Sequence, residues 1–246
     1  MKVVFATQNM GKLREAGEIL GDGVEILTPQ DCGIGGEAEE TGDSFAENSL
    51  LKARYVAERL FGAVSGQESS SAGIPSGKLS GEDVCAVFAD DSGLETDALG
   101  GEPGIYTARY AGADKNFADN MDKLLSRLQE VGAMAPEDRG ARFRCVVTLI
   151  LRGGEVYSFD GTLEGRIALA KAGCGGFGYD PVFIPSDTEL EKLSSFGLSA
   201  EETGALRGKT LAEIPEHLKN LISHRFKALQ PVPEMLSLKM AASGRR

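Results

Sequence analysis

Val3 to Ala6 is a short apolar run that stops at Thr7-Gln8-Asn9, and beyond it Leu13, Ala16, Ile19 and Leu20 recur at the spacing of one helix face. The pattern predicts strand, turn and helix. A second helix is expected from about Ser44: Ser44 and Glu47 make a capping-box signature, and Phe45, Leu51, Tyr55 and Leu60 supply apolar positions up to Phe61-Gly62. Val84 to Ala89 reads as a buried strand that ends in Asp90-Asp91-Ser92-Gly93, and Phe117 to Val131 as an amphipathic helix before a polar loop around Pro136. Phe143 to Leu151 and Val156 to Phe159 predict a hairpin across Gly153-Gly154, a composition suited to a two-residue turn. There follow a glycine-rich segment at Gly173 to Gly178, a short strand near Val182 to Ile184, a polar stretch to Lys209, and a helix from about Ser223 to Leu229.

The stretch 62–83 is rich in Gly and Ser, contains Pro75 and has no periodicity, so it reads as a flexible surface insertion. The tail 232–246 offers little to anchor it. No internal repeat and no clean linker divides the chain, so an α/β fold of two lobes within a single domain, 1–246, is expected rather than independent domains.

Composition narrows the function. With 246 residues, 41% of them apolar, the chain can bury a sizeable core. No apolar stretch approaches the roughly 20 residues of a membrane span. The start Met-Lys-Val-Val-Phe runs into a strand without a signal-peptide cleavage site, so a cytoplasmic protein without a membrane partner is expected. The formal charge of −11, with no compensating Lys/Arg run, disfavours a nucleic-acid partner but allows a small anion held by a few placed cations. Cys32, Cys85, Cys145 and Cys174 form no CxxC pair, which argues against a zinc knuckle or a dithiol motif and for reduced, structural thiols.

Several runs carry candidate chemistry. In Thr7-Gln8-Asn9-Met10-Gly11-Lys12, Asn9 is placed to cap the first helix and Lys12 sits in its first turn; a phosphate site and an ordinary surface lysine both account for this. Glu39-Glu40-Thr41-Gly42 and Asp90-Asp91-Ser92-Gly93 are acidic clusters at element boundaries, able to converge on one hard cation or to be solvated turns. Adjacent strand residues point to opposite faces, so only one of Asp90 and Asp91 can easily be a metal ligand. Gly173-Cys174-Gly175-Gly176-Phe177-Gly178-Tyr179-Asp180-Pro181 suits a backbone that approaches a ligand closely beside a stacking ring, or a tight packed loop. Ser223-His224-Arg225, with Lys219 nearby, supplies donors for a base carbonyl or a phosphate, or a plain basic helix start; His217 reads as a surface residue. Phe159-Asp160-Gly161-Thr162-Leu163 imitates the end of an aspartyl-phosphate signature, but position 158 is Ser158, so the nucleophile is missing.

Taken in order, Thr7 to Lys12, Glu40-Thr41-Gly42, Asp90 to Leu94, Gly104-Ile105-Tyr106-Thr107-Ala108-Arg109-Tyr110, Phe177 to Asp180 and Ser223-His224-Arg225 resemble the Ham1-like inosine triphosphate pyrophosphatases over nearly the whole chain. The resemblance implies an elongated mixed α/β fold with a long central sheet, two lobes and an active-site cleft between them, usually as a homodimer. It implies Mg²⁺-dependent hydrolysis of the non-canonical purine nucleotides ITP, dITP and XTP to the monophosphate and pyrophosphate, cleansing the nucleotide pool. By the same resemblance Thr7, Gln8, Asn9, Met10, Gly11 and Lys12 form the phosphate-binding turn, Lys52 is the second phosphate lysine, and Glu40 and Asp91 hold the metal. Asp91 is also the general base and Ser92 contacts substrate, while Phe177, Gly178, Tyr179, Asp180, Lys219, His224 and Arg225 embrace base and sugar. The departures are the 62–83 insertion, the changed spacing before Lys219 and the C-terminal tail; none interrupts a motif. A related pyrophosphatase of different base preference and a non-catalytic nucleotide-binding regulator are the rivals, and the presence of both carboxylates and both lysines argues against the second.

Overall fold

The computed structural model of the chain describes residues 1–62 and 84–243, with side chains followed as far as Lys239 in the last helix. The expected 62–83 insertion lies, Gly62 apart, outside the described residues. Val3, Val4 and Phe5 are fully buried and form strand β1 (Lys2–Phe5). The chain then turns into helix α1 (Met10–Leu20), capped by Asn9, whose side-chain oxygen accepts the Gly11 N–H at 2.9 Å and the Lys12 N–H at 3.2 Å. A short strand β2 (Glu25–Leu27) pairs in parallel with β1, Val3 opposite Ile26.

Helix α2 (Phe45–Phe61) begins where its cap predicts, with one difference. Ser44 accepts the Glu47 N–H at 3.2 Å, but the Glu47 carboxylate reaches past Ser44 to the Asp43 N–H at 2.7 Å, so the reciprocal half of the capping box is displaced by one residue. Strand β3 (Val84–Thr96) runs parallel to β1 and is far longer than its apolar stretch, so Asp90 and Asp91 lie within a strand rather than at its end. Helix α3 (Phe117–Glu130) follows, and Asn116 caps it by accepting the Ala118 N–H at 2.9 Å. Strands β4 (Gly140–Leu151) and β5 (Val156–Ile167) are sheet neighbours joined by four residues, a connection only antiparallel strands can use. The turn is therefore longer than the expected two residues, and the Asp160-Gly161-Thr162 run lies inside β5. Strand β6 (Phe183–Pro185) pairs antiparallel with β5 and completes a six-stranded sheet in the order β2-β1-β3-β4-β5-β6. The fold is mixed α/β.

The polar stretch before Lys209 is helical: α4 (Asp187–Glu191) and α5 (Ala200–Gly204) are capped by Ser186 and Ser199. Helices α6 (Glu216–Ile222) and α7 (His224–Leu229) lead to α8 (Val232–Ser243). The tail is thus not loose over its described part. Val232 and Leu236, one turn apart, are both buried, and that burial anchors it.

The chain divides into two compact units. One comprises residues 1–91, 146–160 and 228–246, the other 92–145 and 161–227. The core of the first unit gathers Val4, Leu27, Val56, Leu60, Val87 and Ile150. Inside it Ser49 of α2 donates its hydroxyl to the Ala89 carbonyl at 3.0 Å, tying that helix to β3. The core of the second unit gathers Leu94, Leu124, Leu128, Leu163, Phe183 and Leu193. Its buried Arg139 donates to the carbonyls of Ala133, Ile167 and Ala168, each at 2.7 Å.

Candidate active site

In the first unit, strand alternation sends two adjacent carboxylates to different lysines. Asp90 accepts from Lys12 of α1 at 2.9 Å, and Asp91 from Lys52 of α2 at 2.6 Å. Lys52 also meets Glu40 at 2.8 Å, so Glu40 and Asp91 converge on one point of positive charge. Asp90, the acid that the resemblance leaves without a role, is the more buried of the pair. Burial works against the Lys52 charge, but Asp91 and then Glu40 outweigh it, and its pKa lies above the ordinary lysine value. Asp91 moves upward too: burial raises its pKa, Lys52 and Lys12 lower it without cancelling that effect, and Glu40 adds to the rise. The two ends of the pair differ because the ammonium has two anionic neighbours, whereas Asp91 has an anion as well as cations beside it.

The turn before α1 is ordered by its own side chains. Thr7 accepts the Asn9 N–H at 3.2 Å, and Asn9 occupies the first-turn N–H groups of Gly11 and Lys12. Those two amides are thus already satisfied within the turn. Gln8, Asn9 and Met10 are exposed.

In the second unit, the segment from Gly173 to Asp180 is a loop stapled by a buried carboxylate. Asp180 Oδ2 accepts the Phe177 N–H at 2.9 Å and the Lys219 ammonium at 3.0 Å. Gly176 has φ +71, and a Cβ there would lie 2.0 Å from Asp180 Oδ2, so no larger residue fits that fold of the loop. The Phe177 ring stays 38% exposed, with Lys219 Nζ 5.0 Å and Arg225 Cζ 5.9 Å from its centroid. Lys219 and Arg225 themselves are buried, and Arg225 donates to Ser92 Oγ at 3.2 Å. The arrangement places two cationic N–H donors over a partly exposed aromatic ring.

Tyr179 and His224 stand differently. Tyr179 is buried, and its hydroxyl donates to the Thr107 carbonyl at 2.9 Å; burial, then Tyr110, pushes the phenol pKa well above the ordinary value. The His224 ring stacks on Phe143 at 4.9 Å with planes 13° apart. The Gly178 backbone lies beside Phe117, whose ring a Cβ would meet at 3.6 Å. His217 is exposed, as its sequence context predicts. Among the buried polar side chains that motif reading misses are Asn48 in α2 and Asn120 in α3, although each stands at an otherwise apolar position of its helix.

The sequence pattern that describes the Ham1 family matches residues 3–235. The chain belongs to the Ham1 family. It is 37% identical to the dITP/XTP pyrophosphatase of Flavobacterium johnsoniae over 96% of this chain and 98% of the relative. It is 38% identical to the dITP/XTP pyrophosphatase of Geobacillus kaustophilus over 99% of this chain and 98% of that one. The solved Staphylococcus aureus Ham1 protein superposes with a TM-score of 0.70 at 31% identity, covering 97% of this chain and 100% of the other. The lysine and carboxylate group, the stapled loop and the Arg225 helix start are therefore features of a Ham1 chain.

Proposed function

We propose that the chain hydrolyses non-canonical purine nucleoside triphosphates, dITP, ITP and XTP, to the monophosphate and pyrophosphate. The observation that carries the reading is the presence, in a Ham1-family chain, of two chemistries that one nucleotide requires. Lys12 and Lys52 are partly buried cations paired with carboxylates, suited to an oligophosphate. Phe177, with Lys219 and Arg225 beside it, suits an oxo-purine.

Glu40 and Asp91 fit Mg²⁺, since both oxygens already meet at one cationic centre. Among the described residues no group of three or more His, Cys, Asp and Glu side chains converges, so the remaining ligands would be water and phosphate oxygens, the usual environment of Mg²⁺ in triphosphate enzymes. When bound, the ion supplies neutralisation of the triphosphate charge. Lys12 and Lys52 exchange carboxylate for phosphate oxygens and hold the triphosphate in place. Asp91 takes a proton from water as the water oxygen bonds to the α-phosphorus. The bond from that phosphorus to the α,β-bridging oxygen breaks, and its electron pair leaves with pyrophosphate.

Selectivity follows from donors. Lys219 and Arg225 present N–H groups to the 6-oxo oxygen of hypoxanthine or xanthine, whereas adenine would set its amino donor against them and leave them unpaired. The active form in this reading is a cytoplasmic homodimer with no nucleic-acid or membrane partner. The charge of −11 supports the absence of a nucleic-acid partner; among the described residues no helix is long and apolar enough to cross a membrane. Light scattering on the purified chain measures the stoichiometry.

The decisive experiment measures pyrophosphate and orthophosphate released from ITP, dITP, XTP, GTP and ATP, with Mg²⁺ and with EDTA. Metal-dependent pyrophosphate from ITP, dITP and XTP, with little from ATP and GTP, is expected. Orthophosphate as the product, or no release, overturns the reading.

A further inference from the structure

The segment Gly104–Arg109, a 3₁₀ turn of the second unit, belongs to the motifs but has no task in the mechanism above. At its centre Thr107 is 8% exposed and uses both its hydroxyl and its carbonyl. The hydroxyl donates to the Gly104 carbonyl at 2.6 Å and accepts the Leu94 N–H at 2.8 Å. The carbonyl accepts the Tyr179 hydroxyl at 2.9 Å.

Those two partners are the supports of the purine-facing group. Leu94 stands two residues beyond Ser92, the residue on which Arg225 rests. Tyr179 stands two residues beyond Phe177 and next to Asp180, the residue that holds Lys219. Behind Thr107, the fully buried Asn120 of α3 donates to the Ala108 carbonyl at 3.0 Å and accepts the Ala111 N–H at 2.6 Å, fixing both ends of the turn's exit. Every donor and acceptor here is backbone, or a side chain committed to backbone. Two of its bonds lead toward the ring and its cations, one through Leu94 to Ser92 and one through Tyr179 to the Phe177–Asp180 loop.

We propose that Thr107, backed by Asn120, is the positioning residue of purine recognition, hanging both the Ser92 end of β3 and the Phe177–Asp180 loop on one residue. Thr107 and Tyr179 touch no substrate in this scheme. They set the spacing of Phe177, Lys219 and Arg225, and a loosened spacing costs affinity for the base and nothing at the phosphates. The inference rests on the oxo-purine reading of that group.

The test uses the intact chain and two probes titrated separately by calorimetry, IMP and inorganic pyrophosphate in the presence of Mg²⁺. Thr107→Val removes the hydroxyl at constant shape, Tyr179→Phe removes the other hydrogen bond and keeps the ring, and Thr107→Ser restores the hydroxyl. Thr107→Val and Tyr179→Phe are expected to weaken IMP about tenfold, the scale of one buried hydrogen bond, while pyrophosphate binding stays within about twofold and Thr107→Ser returns IMP to wild type. Equal weakening of both probes, IMP binding unchanged in Thr107→Val and Tyr179→Phe, or no rescue by Thr107→Ser overturns the proposal. A wild type that binds IMP but does not turn ITP over defeats the catalytic reading alone, because the IMP comparison still reports positioning. A wild type that does not bind IMP overturns the positioning proposal, while the catalytic reading stands or falls on the pyrophosphate assay.

Discussion

Asp91 lies 2.6 Å from the Lys52 ammonium and still takes up a proton more readily than a free aspartate, because burial and the nearby Glu40 outweigh the cations. Its ionised form therefore costs stability at neutral pH. If Asp91 is the base proposed above, Asp91→Asn is expected to lower turnover of ITP by at least about 100-fold, while the melting temperature at neutral pH stays equal to or above that of the wild type. A melting temperature several degrees lower would show that the Lys52 pair, not the burial, dominates at this position. Glu189 is the opposite case. Burial raises its pKa, but Lys192 and Lys227 outweigh that and hold it below the ordinary 4.5. The stabilisation is complete above 4.5 and is lost as the pH falls through the depressed folded value. Glu189→Gln should consequently melt lower than wild type at neutral pH, with the gap closing on acidification through that window; a gap independent of pH contradicts the linkage. The Asp91 cluster stands out as a motif and Lys192 lies only three residues from Glu189, whereas the other partner of Glu189, Lys227, lies far off in sequence and no local pattern announces it.

At the scale of elements, local chemistry was the most readable layer. The Asn9 and Ser44 caps were visible as turns before periodic apolar runs, and both helices start there. Ser186, Ser199 and Thr210, each followed three residues later by Glu, carry the same signal, but the segments behind them are too short for helical periodicity to show. Strand β3 was read too short for another reason: its acidic half is buried against lysines from α1 and α2, and tertiary pairing of that kind is invisible in a window of sequence. Glu40 poses the related problem of a carboxylate that pairs with Lys52 from outside any helix or strand. Its neighbour Gly42 donates its N–H to Asn48 Oδ1 at 2.9 Å, and a Cβ on Gly42 would meet Glu47 Cβ at 2.6 Å and the Asn48 backbone nitrogen at 3.1 Å. The loop is thus seated on the first turn of α2 through a contact only glycine permits. Gly42→Ala should lift the loop at a cost of about 1–3 kcal/mol in denaturant unfolding and raise the Mg²⁺ concentration needed for half-maximal turnover. Loss of stability with an unchanged Mg²⁺ requirement would mean that the seat serves packing alone.

For the whole molecule, six ordered motifs made the family legible, because their joint order is far more specific than any one of them. The division of the chain was not legible in the same way. Both units are discontinuous, and residues 146–160 and 228–246 rejoin the first after long excursions that no linker marks. The division nevertheless sorts the chemistry: Lys12, Glu40, Lys52 and Asp91 fall in one unit, Ser92, Phe177, Lys219 and Arg225 in the other. If the first group reads phosphates and the second reads the base, substitutions should separate by substrate. Lys12→Gln is expected to lower kcat/KM for ITP and ATP by the same factor, since both carry the same triphosphate. Lys219→Gln retains an N–H donor for Asp180 but loses the charge beside Phe177, and should reduce ITP turnover far more than ATP turnover, narrowing the preference by about tenfold. Ratios of kcat/KM for the two nucleotides in the two variants check this directly. An equal loss on both substrates in Lys219→Gln would make Lys219 a support of the Asp180 staple, and recognition of the 6-oxo group would then rest on Arg225.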